Sequence, residues 1–366
     1  MVENKLNGII DSESGAVVQV RSDPSIAERL SVGQVYKHRG GMVVLSGVTF
    51  SVRAGQIVAL LGPSGSGKTT IGEIITGILP PDSGTISIDG RDVTQVPAHL
   101  RRIPLAPQDW ELFPHLTALE NVAFGLKVAG VNRSDRRRRS IALLEEVGLA
   151  HKLAALPHQL SGGQQQRVCF ARALAVPSQY VIVDEPFANV DQDTRTDLRR
   201  VLADVADRGR GVLFITHDRL DALQLADEVV CLVGGRVAMN GTPQEVYSSP
   251  ASLDVALLTG DAFLLPVPAP STGGFWNVGA ASPEGPYAVL ARPEWLMPAP
   301  SPQESLWNAT ITAQVYQGDG YAVEFETRGW RGRLNSVQPC AIGATLSISA
   351  RPEVTLRHVT RDGLAP

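Results

Sequence analysis

The sequence predicts an α/β domain on a buried parallel sheet, with a helical insert, followed by a small all-β tail. Three observations carry this. The apolar run 56–61 leads directly into the glycine-rich Gly62-Pro63-Ser64-Gly65-Ser66-Gly67-Lys68-Thr69. A second apolar run, Tyr180-Val181-Ile182-Val183, ends on the acidic pair Asp184-Glu185. Beyond a stretch at 264–286 rich in Pro, Gly and Ser, apolar and polar residues alternate in short segments with turn residues between them, the period of half-buried strands.

The glycine-rich segment fits G-x-x-x-x-G-K-[ST] at every fixed position. The run before it reads as a strand, and Thr70 to Ile75 as the helix after it, ending near Gly77 and Pro80-Pro81. Glycines let backbone N–H groups curl around phosphates, and the helix N-terminus adds a favourable dipole. Lys68 is expected to reach the β- and γ-phosphates of a nucleotide, and the Thr69 hydroxyl to ligate Mg²⁺.

Tyr180 to Val183 shows no alternation, which suits a strand buried on both faces. Asp184 then stands at its carboxyl end, where ligands bind in open α/β sheets. Adjacent acids could also cap a helix facing solvent, but that reading leaves the apolar strand, Pro186 and the phosphate loop unexplained. Val212 to Thr216 is another strand-like run and delivers His217 to the same sheet edge. His115, His151 and His158 read as structural. Leu160-Ser161-Gly162-Gly163-Gln164, continuing Gln165-Gln166-Arg167, opens a further helix. Ser161 suits its N-cap, and Gln164 to Ala175 its body, ending before Pro177. A Gly-Gly helix start lets a phosphate approach closely, so its amides form a second anion site.

The phosphate loop and the Leu160–Gln164 segment together resemble the signature set of the ATP-binding cassette (ABC) ATPases. The fold this implies is a P-loop NTPase cassette carrying a helical subdomain. By the same resemblance, Asp184 is the Walker B carboxylate on Mg²⁺, held directly or through water. Glu185 is the general base that polarises the attacking water. Gln108, in Leu105-Ala106-Pro107-Gln108, resembles the Q-loop glutamine that touches Mg²⁺ or that water. Ala106-Pro107 departs from the bulkier apolar pattern there, whereas Leu112 to Thr117 and Glu120-Asn121-Val122 follow as in importer ATPases. His217 resembles the H-loop histidine on the γ-phosphate, and Asp191, in Ala188-Asn189-Val190-Asp191, the D-loop aspartate that couples two sites of a dimer.

Tyr36, in Val35-Tyr36-Lys37, resembles the aromatic residue on which the family stacks adenine; packing within a β-rich stretch is the other reading. The implied ATP-binding set is Tyr36, Gly62, Pro63, Ser64, Gly65, Ser66, Gly67, Lys68, Thr69 and Thr70. In the family, Leu160, Ser161, Gly162, Gly163 and Gln164 act in trans and complete the ATP site of a second molecule. The expected partner is a second copy of the chain or a paralogous ATPase, closed head to tail around two Mg·ATP.

Composition narrows the class further. A chain of 366 residues is long enough for two or more domains. A formal charge of −4 and a pI near 6.0 argue against a general nucleic-acid binder. No apolar run approaches a membrane span, and residues 1–25 lack a secretory pattern. Cys169, Cys231 and Cys340 are far apart in sequence and read as reduced packing residues. Asn308-Ala309-Thr310 matches a glycosylation pattern that a cytosolic chain would not meet in the relevant compartment. Arg133 and the run Arg136 to Arg139 read as a solvated helix face, with lipid headgroups or a partner as the other contact.

The tail carries a second resemblance. Val289-Leu290-Ala291-Arg292-Pro293-Glu294 resembles the Arg-Pro-Glu element of the TOBE regulatory domain found behind the cassette in solute importers. Ala309 to Gly318 and Tyr321 to Phe325 alternate as strands of a small OB-like barrel, with Gly343 and Arg351-Pro352-Glu353 in its closing strands. The expected organisation is a polar extension at 1–27, an ABC ATPase domain at 28–255 with a helical subdomain at 108–165, a linker at 256–286, and a TOBE-type β domain at 287–366.

The resemblance implies the ATPase subunit of an ABC importer, peripheral on the cytoplasmic face of the cell (inner) membrane. Its partners would be two integral membrane permease subunits and, indirectly, an extracytoplasmic solute-binding protein. A groove beside Gln108 would take a helix of each membrane subunit. Soluble ABC ATPases of DNA repair or translation are the alternative, but those typically carry two cassettes or long inserts. Solute choice belongs to the partners; a tail near one barrel in length favours polyamine or ferric iron.

Overall fold

The computed structural model describes residues 29–109, 111–188, 190–266, 287–301, 304–352, 354 and 356–360. The extension expected at 1–27, positions 267–286 of the linker, Asn189 and Glu353 lie outside the described residues. In chain order the first elements are β1 (Arg29–Arg39), β2 (Met42–Arg53), β3 (Ile57–Leu61), α1 (Lys68–Thr76), β4 (Ser83–Ile88), β5 (Arg91–Asp92), α2 (Ala98–Arg101) and β6 (Leu105–Ala106). A helical stretch follows with α3 (Ala118–Val128), α4 (Arg133–Glu146) and α5 (Gly162–Ala175). Next come β7 (Tyr180–Asp184), α6 (Gln192–Asp207), β8 (Gly211–Thr216), α7 (Arg219–Leu225), β9 (Glu228–Val233), β10 (Arg236–Gly241), α8 (Pro243–Ser248) and α9 (Leu253–Thr259). The tail holds β11 (Phe263–Pro266), β12 (Tyr287–Ala291), β13 (Leu296–Pro298), β14 (Trp307–Tyr316), β15 (Tyr321–Thr327), β16 (Trp330–Ser336), β17 (Thr345–Ala350) and β18 (Arg357–Thr360).

The central sheet runs β10-β9-β3-β8-β7-β6. Its members pair in parallel except β10, which lies antiparallel on β9. Every residue of β3, β7 and β8 is buried, which is why these strands read as unbroken apolar runs. Successive residues serve opposite cores. Ile57, Ala59 and Leu61 pack with side chains of α3, α5 and α6. Val58 and Leu60 pack with Ile71, Ile74 and Ile75 of α1 and with a four-stranded sheet ordered β2-β1-β4-β5. Each such side chain contributes about 1.5–3 kcal/mol on burial.

Several local details differ from the sequence expectation. The apolar segments at 43–45 and 48–50 form one strand, β2, because irregular register between β1 and β2 lets the pairing continue past Val35 and Lys37. Helix α5 starts at Gly162, two residues earlier than expected, since the Ser161 hydroxyl already accepts from the Gln164 amide. It then runs past 165 to Ala175 and packs against α3, β6 and β7, so one helix joins the arm to the sheet. The basic run lies on α4, where Arg137, Arg138 and Arg139 are exposed and Arg138 pairs with Asp135.

Among the described residues the tail strands all pair antiparallel, as two sheets ordered β11-β12-β18 and β13-β17-β14-β15-β16. They enclose one core that includes Leu265, Trp295, Trp307, Phe325 and Ile348. β14 alternates cleanly at its start: Trp307, Ala309 and Ile311 are buried, Asn308 and Thr310 exposed. Such an all-β half-barrel fits the OB-like expectation. Gly343, by contrast, sits in a turn before β17 with φ +83°, and Arg351 and Pro352 follow its last residue. Neither lies in a closing strand; a left-handed turn ends pairing at the first, and Pro352 has no N–H to give a ladder.

Arg292 fastens the tail to the preceding helices. Its side chain is fully buried. Nε donates to the Tyr247 carbonyl at 3.2 Å, and Nη1 to those of Ala256 at 3.0 Å and Asp261 at 3.3 Å. Nη2 donates to Thr259 Oγ1 at 2.8 Å. The guanidinium lies 4.2 Å from the Tyr247 ring centroid, and the Tyr247 hydroxyl donates to Glu294. Ala256, in the last turn of α9, and Asp261 just beyond it lie at the negative end of that helix's dipole, where a cation is the fitting cap. Arg292→Met should leave three carbonyls without this donor and lower unfolding stability by about 2–4 kcal/mol. Urea denaturation followed by fluorescence checks this; an unchanged midpoint refutes the role.

Candidate active site

Parallel strands β3, β7 and β8 end at one level and deliver their following residues to one edge. Leu61 stands opposite Thr216, and Asp184 opposite Ile215. The loop 62–67 leaves β3 there and turns into α1. Two of its glycines are required by space. A Cβ on Gly62 would lie 2.4 Å from the Leu232 carbonyl oxygen. Gly67 has φ +98°, and its Cβ would stand 2.7 Å from Leu45 Cδ2 and 3.0 Å from the Val44 oxygen. Gly67 is also the N-cap of α1, which has neither a side-chain cap nor an acid in its first turn. Its first amides are therefore left for an external anion, whereas α3, α5, α6 and α8 are closed by their own Thr117, Ser161, Asp191 and Thr242.

Lys68 is buried, and its Nζ donates to the Gly62 and Pro63 carbonyls at 2.8 and 3.0 Å. Burial lowers its pKa, opposed by the charges of Glu185 and Asp184. Thr69 Oγ1 donates to Asp184 Oδ2 at 2.8 Å. Burial pushes the Asp184 carboxyl up to about 6, against that hydrogen bond and the pull of Lys68. Among the described residues Asp184 Oδ1 and Ser66 Oγ are buried without a partner. An orphan carboxylate oxygen beside a threonine hydroxyl fits Mg²⁺, which takes one or two protein oxygens and completes its octahedron with phosphates and water. Among the described residues no group of three or more His, Cys, Asp or Glu side chains is arranged to hold a metal alone.

Glu185 follows directly and is itself buried, with φ +51°. Its N–H donates to the Ile215 carbonyl at 2.9 Å. Its Oε1 accepts from the His217 backbone N–H at 3.1 Å and lies 2.7 Å from His217 Nδ1. The His217 side chain itself is largely exposed. Asp218, beside it, caps α7 through the Leu220 and Asp221 amides and accepts from Arg195 of α6 at 2.9 Å.

Thus the structure brings Gly62, Ser66, Lys68, Thr69, Asp184, Glu185 and His217 together, with Thr70 buried in the first turn of α1. Pro63, Ser64, Gly65 and Gly67 lie in the same loop, and the candidates outside it stand apart. Gln108 is exposed and hydrogen-bonds to none of the described residues. Tyr36 lies in β1, 38% exposed, with its hydroxyl close to Gly47 of β2, the strand whose Val44 and Leu45 abut Gly67. Leu160 is buried, and Ser161 and Gln164 cap each other reciprocally. Asp191 caps α6 by accepting from the Thr194 amide at 2.9 Å. Sequence reading passed over two residues: Arg195, which joins α6 to the turn after His217, and Gln166, whose Nε2 donates to the Glu185 carbonyl at 2.8 Å. The helical spacing of Gln166 with Cys169, Phe170 and Ala173 was the available signal for the second.

Comparison with known proteins agrees with this geometry. The family model described as ABC transporter matches residues 45–188. The Fe(3+) ions import ATP-binding protein FbpC of Brucella abortus (strain 2308) is 35% identical over 90% of this chain and 95% of its own length. That of Streptomyces coelicolor is 38% identical over 85% and 90%, and the sulfate/thiosulfate import ATP-binding protein CysA 2 of Rhizobium meliloti 42% over 63% and 67%. Among solved structures, an ATP binding subunit of an ABC transporter superposes with TM-score 0.55 at 31% identity, over 59% of this chain and 91% of that one. The dimeric cassette MJ0796, in a post-hydrolysis state bound to ADP and Pi, gives 0.54 at 30% identity, over 58% and 98%.

Gly67→Ala should weaken nucleotide binding by at least about tenfold, because left-handed backbone costs a residue with a Cβ about 1–2 kcal/mol before any clash. Titration with a fluorescent nucleotide reads this directly. An affinity equal to wild type means the loop is not the phosphate cradle.

Proposed function

Since the chain belongs to the ABC transporter family of import ATP-binding proteins, we propose that its buried edge at Lys68, Asp184, Glu185 and His217 hydrolyses ATP to drive solute uptake. The observation that carries the site assignment is the convergence of the phosphate loop, Asp184-Glu185 and His217 on one end of β3, β7 and β8. The chain is an ATPase and the ATP-binding subunit of an importer. It works with a membrane permease and as a dimer, associated with the membrane. Among the described residues no helix is long and apolar enough to cross a membrane, so the translocation path is assigned to separate subunits.

The amides at the start of α1 and the Lys68 ammonium hold the β- and γ-phosphates and stabilise charge as the γ-phosphoryl group transfers. Thr69 and Asp184 would hold Mg²⁺, with Gln108 reaching it when the site closes. When bound, the ion neutralises phosphate oxygens. Glu185 Oε1 is committed to His217, so Oε2 is the atom that receives the proton of the attacking water. The water oxygen then bonds to the γ-phosphorus, and the bond to the ADP oxygen breaks. His217 is oriented through Nδ1, which aims its other nitrogen toward the γ-phosphate.

Among the described residues no hydrogen bond joins Leu160 to Gln164 with the chain's own phosphate loop, and Ser161 is exposed. Both facts support action on the nucleotide of a second copy. Tyr36 is the proposed adenine platform and Asp191 the residue that meets the partner across the closed dimer. The division proposed is a cassette at 28–255 with its helical arm at 108–165, and a regulatory β domain from 287 to which β11 (Phe263–Pro266), within the expected linker, adds an edge strand. We read the solute as ferric iron, a choice supported by the names of the Brucella and Streptomyces relatives; sulfate or thiosulfate is the second reading, supported by the Rhizobium protein. The membrane surface is the cytoplasmic one, where ATP is available.

Glu185→Gln should lower ATP turnover by about 100-fold or more, the scale of a general base, and leave an ATP-bound dimer visible by light scattering. Turnover near wild type removes Glu185 from this role. Ser161→Arg should abolish turnover and leave ATP affinity of the single chain within about twofold of wild type, a free-energy change near 0.4 kcal/mol. Loss of that affinity places the segment in the chain's own site. Solute-stimulated turnover, measured with the co-purified permease and binding protein in the presence of ferric iron or sulfate, decides the cargo.

A further inference from the structure

Helix α5 buries a stripe made of Gln166, Cys169, Phe170, Ala173 and Leu174. Gln166 is the one amide in that stripe. Burying an amide is unfavourable unless it is hydrogen-bonded, and a methionine or leucine would fill the position without that cost. Only half of the amide is used: Nε2 donates to the Glu185 carbonyl at 2.8 Å, while Oε1 is buried without a partner among the described residues. Packing alone does not account for such a side chain.

Its acceptor is unusual too. Glu185 holds φ +51°, a region that costs a residue with a Cβ about 1–2 kcal/mol. The next residue is Pro186, so the peptide between them has no N–H and its carbonyl is its one polar handle. Two donors hold that carbonyl: the Ala188 amide at 3.2 Å, from within the same turn, and Gln166 Nε2, from another element. The Glu185 carboxylate is aimed from this same residue. We propose that Gln166 is a positioning residue that holds Glu185 in its left-handed conformation and ties the aim of the catalytic carboxylate to the place of helix α5.

The proposal rests on Glu185 being the general base. It goes beyond that reading because it joins two sites within one chain. Gln166 lies one turn from Gly162 and Gly163, the helix start assigned to the partner's nucleotide. A helix moves as a rigid rod, so a shift of that start on meeting the partner's γ-phosphate carries Gln166 and the Glu185 peptide with it. Engagement of one nucleotide is thereby read by the base acting on the other.

The test is Gln166→Met, which keeps length and packing and removes the donor, with Gln166→Leu as a second variant. Expected are a turnover rate lowered about 10–100-fold, the cost of displacing a reacting group by an ångström, and a KM for ATP and an ATP affinity within twofold of wild type. Single-turnover rates of Q166M combined with E185Q should equal those of E185Q alone, since both act through one carboxylate. Turnover within twofold of wild type in Q166M and Q166L overturns the proposal. So does a fall in turnover matched by lost ATP affinity, and so does a double variant slower than E185Q by the factor seen in Q166M. If E185Q itself turns over normally, the base assignment fails; if E185Q is inactive while Q166M is not, the Gln166 proposal fails alone.

Discussion

The register of β3, β7 and β8 is the constraint on which the site depends. These strands are buried on both faces, so no alternation of polarity fixes their pairing, and shape must. Side chains of one parity fit under α3, α5 and α6, and those of the other under α1 and the four-stranded sheet. A slip of one residue would exchange the two sets. It would also draw Asp184 into the apolar interior, away from Thr69, at the cost of burying an unpaired carboxylate. Correct packing and correct placement of the acid are therefore the same requirement.

Buried charges in this chain fall into two kinds. Arg101 and Arg292 are buried and each makes four hydrogen bonds to protein oxygens: Arg101 to the carbonyls of Thr94, Val96, Ile74 and Ile75, Arg292 to Tyr247 of α8, Ala256 and Thr259 of α9, and Asp261. Such residues are struts. Around the phosphate loop the balance is different. Lys68 is turned back on loop carbonyls, Asp184 is raised toward neutrality by burial, and Asp184 Oδ1 and Ser66 Oγ remain unmatched. A polyanion with its cation would supply the missing partners for all of them. Perturbed groups whose unmatched atoms converge on one sheet edge mark a site, where a buried cation bonded to backbone carbonyls marks a joint.

Much of this was legible because it is local. The phosphate loop, the apolar strands and the cap at Ser161 are decided within a few residues of chain, by glycine geometry, burial and hydrogen bonding to the nearest amides. The ends of elements were less so. Gly343 and Arg351 sit beside β17, not in it, since where a ladder stops depends on its partner strand. Least visible were residues whose role lies in a distant acceptor. Gln166 reads as one polar residue of a helix start, and only the fold brings the Glu185 carbonyl to it. Arg292 reads as part of a short motif, and its meaning is set by carbonyls 31 to 45 residues away.

The same distinction decides how the tail is joined to the rest. Among the contacts that cross the joint, two kinds of charged contact differ in burial. Arg292 is buried, and its loss would take a charged donor from the Tyr247, Ala256 and Asp261 carbonyls and from the Thr259 hydroxyl. The other is Asp261, which accepts from Arg219 of α7 at 3.3 Å and from Arg333 of β16, with its carboxylate about half exposed. Exposed pairs contribute about 0–1 kcal/mol. Arg219 stands two residues beyond His217, so the Asp261 pair links the tail to that turn. The tail is therefore carried by α8 and α9, and is only lightly tethered to the turn after His217.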